Sequence, residues 1–457
     1  MPDVLRSVPT RQESTRSSRM GRLMEDIWFL ERDLVSDGFD RALERLQAEL
    51  PLQVHGYPSG KEVWTWIVPE KWTCDEAYVE RLNGERILDQ RVHPLHCMRY
   101  SMAFEGTVSR EELLRHLSVS TTSPEAIPYA WATYRRDWGF CAPARFKESL
   151  ADPSYRVVIR SRHEAGTLKV GEVVAPGSGE GEFVLCAHLD HPCMVNDDLS
   201  GVLVGMEVMR ELLQRSNLRM TYRFLMTPET IGSVAWLSQH QDRIPRIRGG
   251  LFLEMLGTDC PHALQRSFQG DTELDRLWLA ALRERDPDAW DGPYRRVIGN
   301  DERQFNAPGV RIPMLSLSRV FHPNTGKWPY PEYHTSADNP RFVSLQRMEE
   351  SVQTVLALID RWEENPYPVN LFRGEVFCTR YGMFVDFYQD PQGNRRLFDM
   401  IQLIDGSHSV HELAASADMP FSAVLRNLQQ MEKHHLIYFS DAPVDPSDWE
   451  TRRKNHP

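Results

Sequence analysis

The feature that most constrains the fold is an alternation of short apolar runs and longer amphipathic segments between about residues 155 and 368. The apolar runs have strand character at 155–160, 171–175, 183–187, 222–227, 250–254 and 314–318. Among them lie segments with apolar residues at helical spacing, at 201–215, 234–241, 273–285 and 345–363. This alternation predicts an α/β fold with a mainly parallel central sheet flanked by helices.

The regions before this segment have a different texture. Residues 1–20 are rich in arginine and serine and lack an apolar stretch, so we expect a disordered leader and not a secretory signal. Residues 21–50 predict N-terminal helices of the main domain, which we place at 126–370. Residues 51–125 contain short β-rich runs and an Asn-Gly hairpin pattern, which predict an inserted small β domain.

The C-terminal part has a pattern of helix, turn, helix and strand. This order predicts a winged-helix domain over residues 371–442, followed by a polar tail at 443–457. Acidic residues outnumber basic ones in the predicted domain, whereas a winged helix that reads a DNA groove is usually basic. We therefore interpret it as a packing or protein-interaction module.

Charge and cysteine usage narrow the class of protein. The net charge of −12 disfavours nucleic acid as a partner, because an acidic surface repels the phosphate backbone. No apolar run approaches the roughly 20 residues of a membrane span, so no membrane partner is expected. The 7 cysteines are odd in number and form no C-x-x-C pair, which favours free thiols and a cytoplasmic location.

A polar loop after one apolar run carries most of the candidate chemistry. His188, Asp190 and His191 follow the run at 183–187, and Asp197 precedes a helix that opens at Ser200-Gly201. Loops after parallel strands are where such sheets build their sites. Imidazole and carboxylate ligands together suit zinc. The loop therefore predicts a zinc site.

The His-x-Asp and the Asn-Asp-Asp-x-Ser-Gly that opens a helix resemble the bacterial zinc aminopeptidases with two co-catalytic metals. The resemblance implies that His188 is a zinc ligand, Asp190 the carboxylate that orients it, and Asp197 the bridge between two metals. His191 has no counterpart in the resemblance. We interpret it as an extra ligand or a substrate contact, and place it among the substrate-binding residues.

The next acid follows the run at 222–227. The resembling family has Glu-Glu at this place, the first as general base and the second as metal ligand, whereas this chain has Glu229-Thr230. The resemblance implies that Glu229 is the general base, while a shift by one position would make it a ligand. Either alignment loses one carboxylate, so the number of zinc ions, one or two, is left open.

Two further ligands complete the set that the resemblance implies. Glu254 ends the apolar run at 250–254 and corresponds to the last carboxylate ligand. His334 lies in a His-Thr-x-x-Asp motif whose histidine binds zinc in the family. Its neighbour Tyr333 is assigned to substrate binding.

A charged loop before the run at 314–318 supplies candidate pocket residues. Arg303 could bind a substrate carboxylate with both arms of its guanidinium, and Asp301 or Glu302 could bind an amine. The five elements from His188 to His334 occur in the order of the family over about 150 residues. The wider chain resembles aminopeptidase-like proteins that have an inserted small β domain and a C-terminal winged helix.

We expect from this resemblance a metal-dependent hydrolase with aminopeptidase activity on a peptide or an aminoacyl amide. One alternative is hydrolysis of a small non-peptide amide in biosynthesis, and a second is a degenerate peptidase that serves as a scaffold. A DNA-binding regulator is disfavoured by the acidic C-terminal region. The family resemblance also makes a homo-oligomer an expectation by analogy.

Overall fold

The computed structural model of the chain describes residues 15–447. The strands are β1 (Leu52–Pro58), β2 (Glu62–Val63), β3 (Trp66–Ile67), β4 (Lys71–Glu80), β5 (Arg86–Asp89), β6 (Phe104–Ser109), β7 (Leu117–Ser118), β8 (Phe140–Cys141), β9 (Ser154–Glu164), β10 (Thr167–Ala175), β11 (Glu182–His188), β12 (Thr221–Thr227), β13 (Ile247–Glu254), β14 (Ala263–Gln265), β15 (Trp290–Gly292), β16 (Met314–Ser318), β17 (Tyr367–Asn370) and β18 (Ile437–Ser440). The α-helices are α1 (Arg16–Ile27), α2 (Asp37–Gln47), α3 (Arg110–Arg115), α4 (Ala144–Ser149), α5 (Leu199–Leu212), α6 (Ile231–Gln239), α7 (Glu273–Arg285), α8 (Glu302–Phe305), α9 (Leu345–Glu363), α10 (Pro391–Gln402), α11 (Val410–Ser416) and α12 (Phe421–Lys433).

The central sheet has eight strands in the order β1-β10-β12-β11-β13-β16-β14-β15. Its middle strands β12, β11, β13 and β16 run parallel. Toward the edges, β1 pairs antiparallel with β10, β10 with β12, and β14 with β16. The predicted α/β class with helices around a large sheet is thus confirmed, and the sheet is mixed at its edges. The carboxyl ends of the four parallel strands meet at one edge of the sheet.

Helices cover both faces of this sheet. Along β11, Phe183 and Leu185 pack in one core with α1, α2, α5, α7 and α9, while Val184 and Cys186 pack in a second core with α6 and α8. Successive side chains of a strand point to opposite faces, so a strand buried on both sides has no polar alternation. Every residue of β11 is buried, which agrees with this arrangement.

The small sheet has the order β5-β4-β9-β6. The predicted Asn-Gly hairpin joins β4 to β5, and Gly84 has a φ of 90°, a conformation that glycine adopts without steric cost. Two strands differ from the predicted boundaries of 51–125. Strand β9 lies beyond residue 125 but pairs with β4 and β6, and β1 lies inside the range but joins the central sheet.

The C-terminal region consists of α10, α11 and α12 around their own apolar core, with β17 and β18 paired antiparallel. This order of elements agrees with the predicted helix, turn, helix and strand, and the winged-helix assignment stays a prediction. Within the described residues 15–447, the helices are too short or too polar to cross a membrane.

The two chain ends differ in how much of each prediction can be compared. Helix α1 begins at Arg16, so residues 16–20 are helical where a disordered leader was predicted. Residues 1–14 of that leader and residues 448–457 of the predicted tail lie outside the described part.

Candidate metal centre

The carboxyl ends of three neighbouring parallel strands place three candidate residues at one edge of the sheet. Strand β11 ends at His188, β13 ends at Glu254, and β12 ends two residues before Glu229. His188 is opposite Thr227 in the register of β11 and β12. The predicted clustering of these side chains follows from this parallel pairing, because it brings strand ends together that are far apart in sequence.

Helix α5 begins directly behind the loop that carries Asp197. Asp198 is its N-cap and accepts hydrogen bonds through Oδ1 from the backbone N–H of Gly201 at 3.1 Å and of Met255 at 3.0 Å. A Cβ at Gly201 would lie 2.4 Å from the carbonyl oxygen of Leu253, so only glycine permits this close packing. Asp198 therefore ties the loop to strand β13 and is not itself a candidate ligand.

Two buried charged residues fix the backbone of the loop between β11 and α5. Arg32 donates hydrogen bonds to the carbonyl oxygens of Leu189 at 2.7 Å, His191 at 2.8 Å and Met194 at 2.9 Å. The sequence predicted only helices for residues 21–50 and did not indicate this role of Arg32. A buried arginine needs several acceptors, and the loop supplies them through its carbonyl oxygens.

Asp338 fixes the same loop from the other side. Its carboxylate accepts hydrogen bonds from the backbone N–H groups of Val195 at 3.2 Å, Asn196 at 2.6 Å and Asp197 at 3.1 Å. Asp338 is the last residue of the His-Thr-x-x-Asp motif, so its sequence position was visible, but the sequence did not indicate this function. It acts as a positioning residue for Asp197.

Three imidazoles converge on the carboxylate of Asp197. Nε2 of His188 lies 3.1 Å from Oδ1, while Nδ1 of His191 and Nε2 of His334 lie 3.2 Å and 2.9 Å from Oδ2. All three come from different loops or strand ends. The structure thus brings together the predicted ligands His188, Asp197 and His334, and adds His191 to them.

The geometry of this cluster is better suited to metal binding than to hydrogen bonds among its own atoms. The two ring nitrogens of His188, Nδ1 of His191, Nε2 of His334 and Oδ2 of Asp197 are buried and form no directed hydrogen bond. Buried polar atoms are normally paired, so such orphans call for an explanation. Two ligand atoms of a tetrahedral zinc lie roughly 3.3 Å apart, given bonds of roughly 2.0–2.2 Å, which is the spacing found here. The donor set fits zinc.

A second candidate group shares His191 with the first. One ligand atom each from His188, His191 and Asp197 lie within 4.8 Å of one another, and the same holds for Asp190, His191 and Glu229. Asp190 accepts a hydrogen bond from the backbone N–H of Glu229 at 2.8 Å, and its Oδ1 lies 3.4 Å from Nδ1 of His188. Asp190 thus lies next to His188, which it was predicted to orient, and contacts the backbone of Glu229.

The charges in the cluster are strongly coupled. Burial would raise the pKa of Asp197, but the facing imidazoles of His191, His188 and His334 lower it well below its usual value. Burial would lower the pKa of His191, but Asp197 and Glu229 raise it to about 10. Burial would also raise the pKa of Glu229, and His191 overrides this and lowers it. Both carboxylates are therefore ionised at neutral pH.

Glu254 is buried at the end of β13. Oε1 accepts a hydrogen bond from Nδ2 of Asn300 at 2.6 Å, and Oε2 is buried without a directed hydrogen bond. Burial, together with the nearby charges of Asp198 and Asp197, raises the pKa of Glu254 well above its usual value. A cation would relieve this concentration of negative charge. Glu254 is in neither of the two candidate groups above, and its role as a ligand stays a prediction.

The predicted pocket residues 301–303 lie behind the strand ends. Asp301 accepts hydrogen bonds from Ser233 and from the backbone N–H of Thr230, and Glu302 accepts one from Gln265 at 2.8 Å. Both acids are fully buried. Their oxygens support neighbouring segments, so this packing does not favour the amine-binding role predicted for them.

Arg303 is also engaged within the protein. Its Nε donates to the carbonyl oxygen of Asn300 at 2.6 Å, and Nη2 lies 3.4 Å from Oγ1 of Thr230. Tyr333 stacks on His334 with ring centroids 3.9 Å apart, which orients that imidazole. The predicted substrate contacts of both residues stay predictions.

A cavity of about 260 Å³ opens beside the cluster. Its wall includes His191 and Glu229, and half of the other lining residues are aromatic, namely Trp66, Tyr100, Tyr129, Trp131 and Tyr134. Trp66 and Tyr100 lie within the range 51–125 predicted as the inserted β domain, and the other three rings lie in the segment 126–134. The sequence did not indicate this wall, because the segment 126–134 has neither strand nor helix periodicity.

Comparisons with known proteins identify the family to which the chain is similar. The profile of the family described as Domain of unknown function (DUF4910) matches residues 21–365. A protein of Clostridium acetobutylicum is 30% identical over 418 residues, which cover 91% of this chain and 94% of the relative. Its name is that of a candidate polysaccharide biosynthesis protein with an aminopeptidase-like domain.

Solved structures show the same architecture. A crystal structure from Clostridium acetobutylicum, described as a candidate peptidase, covers 93% of this chain and 96% of its own at 28% identity, with a TM-score of 0.79. A zinc aminopeptidase from Bacillus subtilis covers 78% of this chain and 95% of its own, at 14% identity and a TM-score of 0.56. The resemblance to the zinc aminopeptidase superfamily is thereby confirmed at the level of the fold.

Proposed function

Because the chain belongs to the DUF4910 family and has the fold of the zinc aminopeptidases, we propose that it hydrolyses an amide bond with the help of zinc. The observation that carries the proposal is the convergence of His188 and His334 on Asp197. Nε2 of His188 lies 3.1 Å and Nε2 of His334 lies 2.9 Å from a carboxylate oxygen of Asp197, and neither nitrogen forms a directed hydrogen bond. The substrate class favoured first is a peptide or an aminoacyl amide.

The chain offers the residues to bind zinc at this place. His188, Asp197, Glu254 and His334 would bind one or two ions. When bound, zinc supplies a Lewis acid that acidifies water and polarises the amide carbonyl. Asp338 and Arg32 keep the loop of Asp197 in place through the backbone hydrogen bonds described above, so the ligands need little rearrangement.

Glu229 is the residue that would move the proton. Its side chain is 28% exposed and lines the cavity, and its backbone N–H is bonded to Asp190. An ionised carboxylate at the wall of the cavity accepts a proton from the attacking water at its Oε atoms and donates it to the nitrogen of the leaving amine. The products are a carboxylic acid and an amine.

The aromatic wall favours a second candidate substrate class, an N-acylated amino sugar or a similar small amide. Sugar rings present apolar faces that stack on aromatic side chains, while their hydroxyl groups stay at the polar side. Trp131 is 43% exposed and Trp66 is 36% exposed, so both can contact a ligand. The Clostridium relative named for polysaccharide biosynthesis supports the same class.

A hydrolysis assay tests the proposal and separates the two substrate classes. The purified full chain with added zinc is offered aminoacyl p-nitroanilides and N-acetylated amino sugars, and Glu229→Gln is compared with Glu125→Gln at an exposed carboxylate. We expect one class to be cleaved, Glu229→Gln to lose about 10²–10⁴-fold in rate, and Glu125→Gln to keep the wild-type rate. Full activity of Glu229→Gln would remove its role, and no cleavage of either class would leave the scaffold alternative.

A further inference from the structure

His191 lies within the metal cluster although the family resemblance has no ligand at its position. Its side chain is 3% exposed, and its ring lies between two acids. Nδ1 faces Oδ2 of Asp197 at 3.2 Å, and Nε2 faces Oε2 of Glu229 at 3.3 Å. The ring centroids of His191 and His334 are 5.1 Å apart and nearly perpendicular. Both imidazoles thus point at the same oxygen of Asp197 from different directions.

The two oxygens of Asp197 therefore have different surroundings. Oδ1 faces Nε2 of His188, whereas Oδ2 faces Nδ1 of His191 and Nε2 of His334. A carboxylate with nitrogen donors at each oxygen can bind a metal on either side. The Oδ2 side has two imidazole nitrogens and one carboxylate oxygen, and these are ligand types of a catalytic zinc, which has three protein ligands and a fourth position for water or substrate.

Thr230 contributes no ligand to the Oδ2 side. Its hydroxyl lies 3.4 Å from Nη2 of Arg303, and its backbone N–H donates to Asp301 at 3.0 Å. A hydroxyl is not among the usual zinc ligands, which are thiolate, imidazole and carboxylate. Thr230 lines the cavity beside Glu229, so this position offers a hydroxyl where the resembling family has a carboxylate ligand.

The backbone of His191 is arranged to point its ring into the cluster. Its φ is 76°, in the left-handed region that residues with a Cβ seldom adopt. Arg32 donates a hydrogen bond to its carbonyl oxygen at 2.8 Å, and so keeps this conformation in place. Such conformations persist where the surrounding structure fixes them, and they concentrate at ligand sites.

We infer that His191 is a direct zinc ligand through Nδ1, on the Oδ2 side of Asp197 beside His334, and that it replaces the carboxylate that Thr230 lacks. The inference rests on the proposed function, since it concerns the same zinc site. Nε2 of His191 keeps its hydrogen and donates it to Glu229. This second contact fixes the tautomer that leaves Nδ1 free to bind the metal.

Zinc binding to His191→Gln tests the inference, with His188→Gln as the positive control and His262→Gln as a control at a buried histidine outside the cluster. Zinc content after chelation and reconstitution is measured by mass spectrometry, zinc affinity by competition with a chelating dye, and ligand geometry by the visible spectrum of the Co²⁺-loaded chain. We expect His191→Gln to lose one zinc or at least about 100-fold in affinity, more than the 10–100-fold typical of residues that only orient a ligand. His262→Gln should bind zinc like the wild type.

A rescue variant gives the sharper result. Adding Thr230→Glu to His191→Gln returns a carboxylate next to Glu229, and we expect zinc binding to recover. Unchanged zinc content, affinity and Co²⁺ spectrum in His191→Gln would overturn the inference and leave His191 as a substrate contact. Absence of zinc binding by the wild type would overturn the inference and the proposed function together, so the two failures are distinguishable.

A measurement on the wild-type chain covers the case in which the variant fails to fold. Diethyl pyrocarbonate modifies imidazole nitrogens that it can reach, and His191, although only 3% exposed, lines the cavity through which the reagent can enter. We expect zinc to protect His191 from modification, as read by peptide mass spectrometry. Equal modification of His191 with and without bound zinc would overturn the inference.

Discussion

Two regions of the molecule contain a buried histidine next to an acid, and they differ in how the ring nitrogens are used. In the metal cluster, both nitrogens of His188 are buried without a directed hydrogen bond. At the start of β14, His262 is equally buried, but its Nδ1 pairs with Asp286 at 2.8 Å and its Nε2 with Ser351 at 3.2 Å. Burial beside a carboxylate is thus shared by both regions, and only the unpaired nitrogens single out the first.

Cavity size does not distinguish the metal cluster from the region around His262. The cavity at His262 has a volume of about 510 Å³, larger than the 260 Å³ beside the metal cluster. Its wall consists mainly of charged side chains such as Arg285, Arg319 and Glu350, which pair with one another, with polar side chains nearby or with backbone oxygens. The comparison teaches that satisfied polar atoms indicate a structural network, and that several orphaned ligand atoms facing one another indicate a ligand site.

The largest effect should come from removing the carboxylate that the three imidazoles share. Asp197→Asn takes away the charge between them, and we expect loss of bound zinc and a fall in hydrolysis of at least ~10³-fold, or ~4 kcal/mol of transition-state stabilisation. Zinc content and kcat/KM are measured together. Asp286→Asn, at the matching position of the other region, should change neither, and a zinc loss there would break the comparison.

Zinc removal should separate the regions in a second way. A ligand that binds only the folded chain stabilises it by ~2.7 kcal/mol at a free concentration 100 times its Kd. We expect chelation to lower the Tm of the wild type by several degrees and to leave the Tm of Asp197→Asn unchanged. Thermal unfolding followed by circular dichroism measures both, and equal shifts for the two proteins would contradict zinc binding at Asp197.

A smaller effect is expected from the residue that positions Asp197. Asp338→Asn replaces one acceptor oxygen of the carboxylate that binds three backbone N–H groups of the loop, and should lower zinc affinity by about 10–100-fold. Competition with a chelating dye measures the affinity. Full zinc affinity in a folded Asp338→Asn would show that the loop keeps its geometry without this carboxylate.

The smallest effect is expected in the paired region. His262→Gln loses at least one of its two hydrogen bonds and should lower the free energy of unfolding by about 1 kcal/mol. The loss should be the same with and without zinc, as measured by urea denaturation. A loss that depends on zinc would mean that the second region also binds metal.

The sequence determined the local elements of the main domain. Helices α7 and α9 and strand β16 have the bounds that apolar periodicity predicted, because periodicity and capping residues such as Thr272 and Ser344 act within a few positions. It also placed His188 and Glu254 at strand ends, where parallel strands meet. The resemblance to the zinc aminopeptidases, which the solved structures confirm at the level of the fold, followed from five motifs in the right order.

The tertiary structure decided which strands pair and where loops point. An apolar run does not specify its partner, so β9 joined the small sheet and β1 the central sheet. The direction of His191 depends on Arg32, which lies 159 positions away, and that of Asp197 depends on Asp338, which lies 141 positions away. Hydrogen bonds over such separations form only in the folded chain, and for this reason the position of His191 between Asp197 and Glu229 was not contained in the sequence pattern.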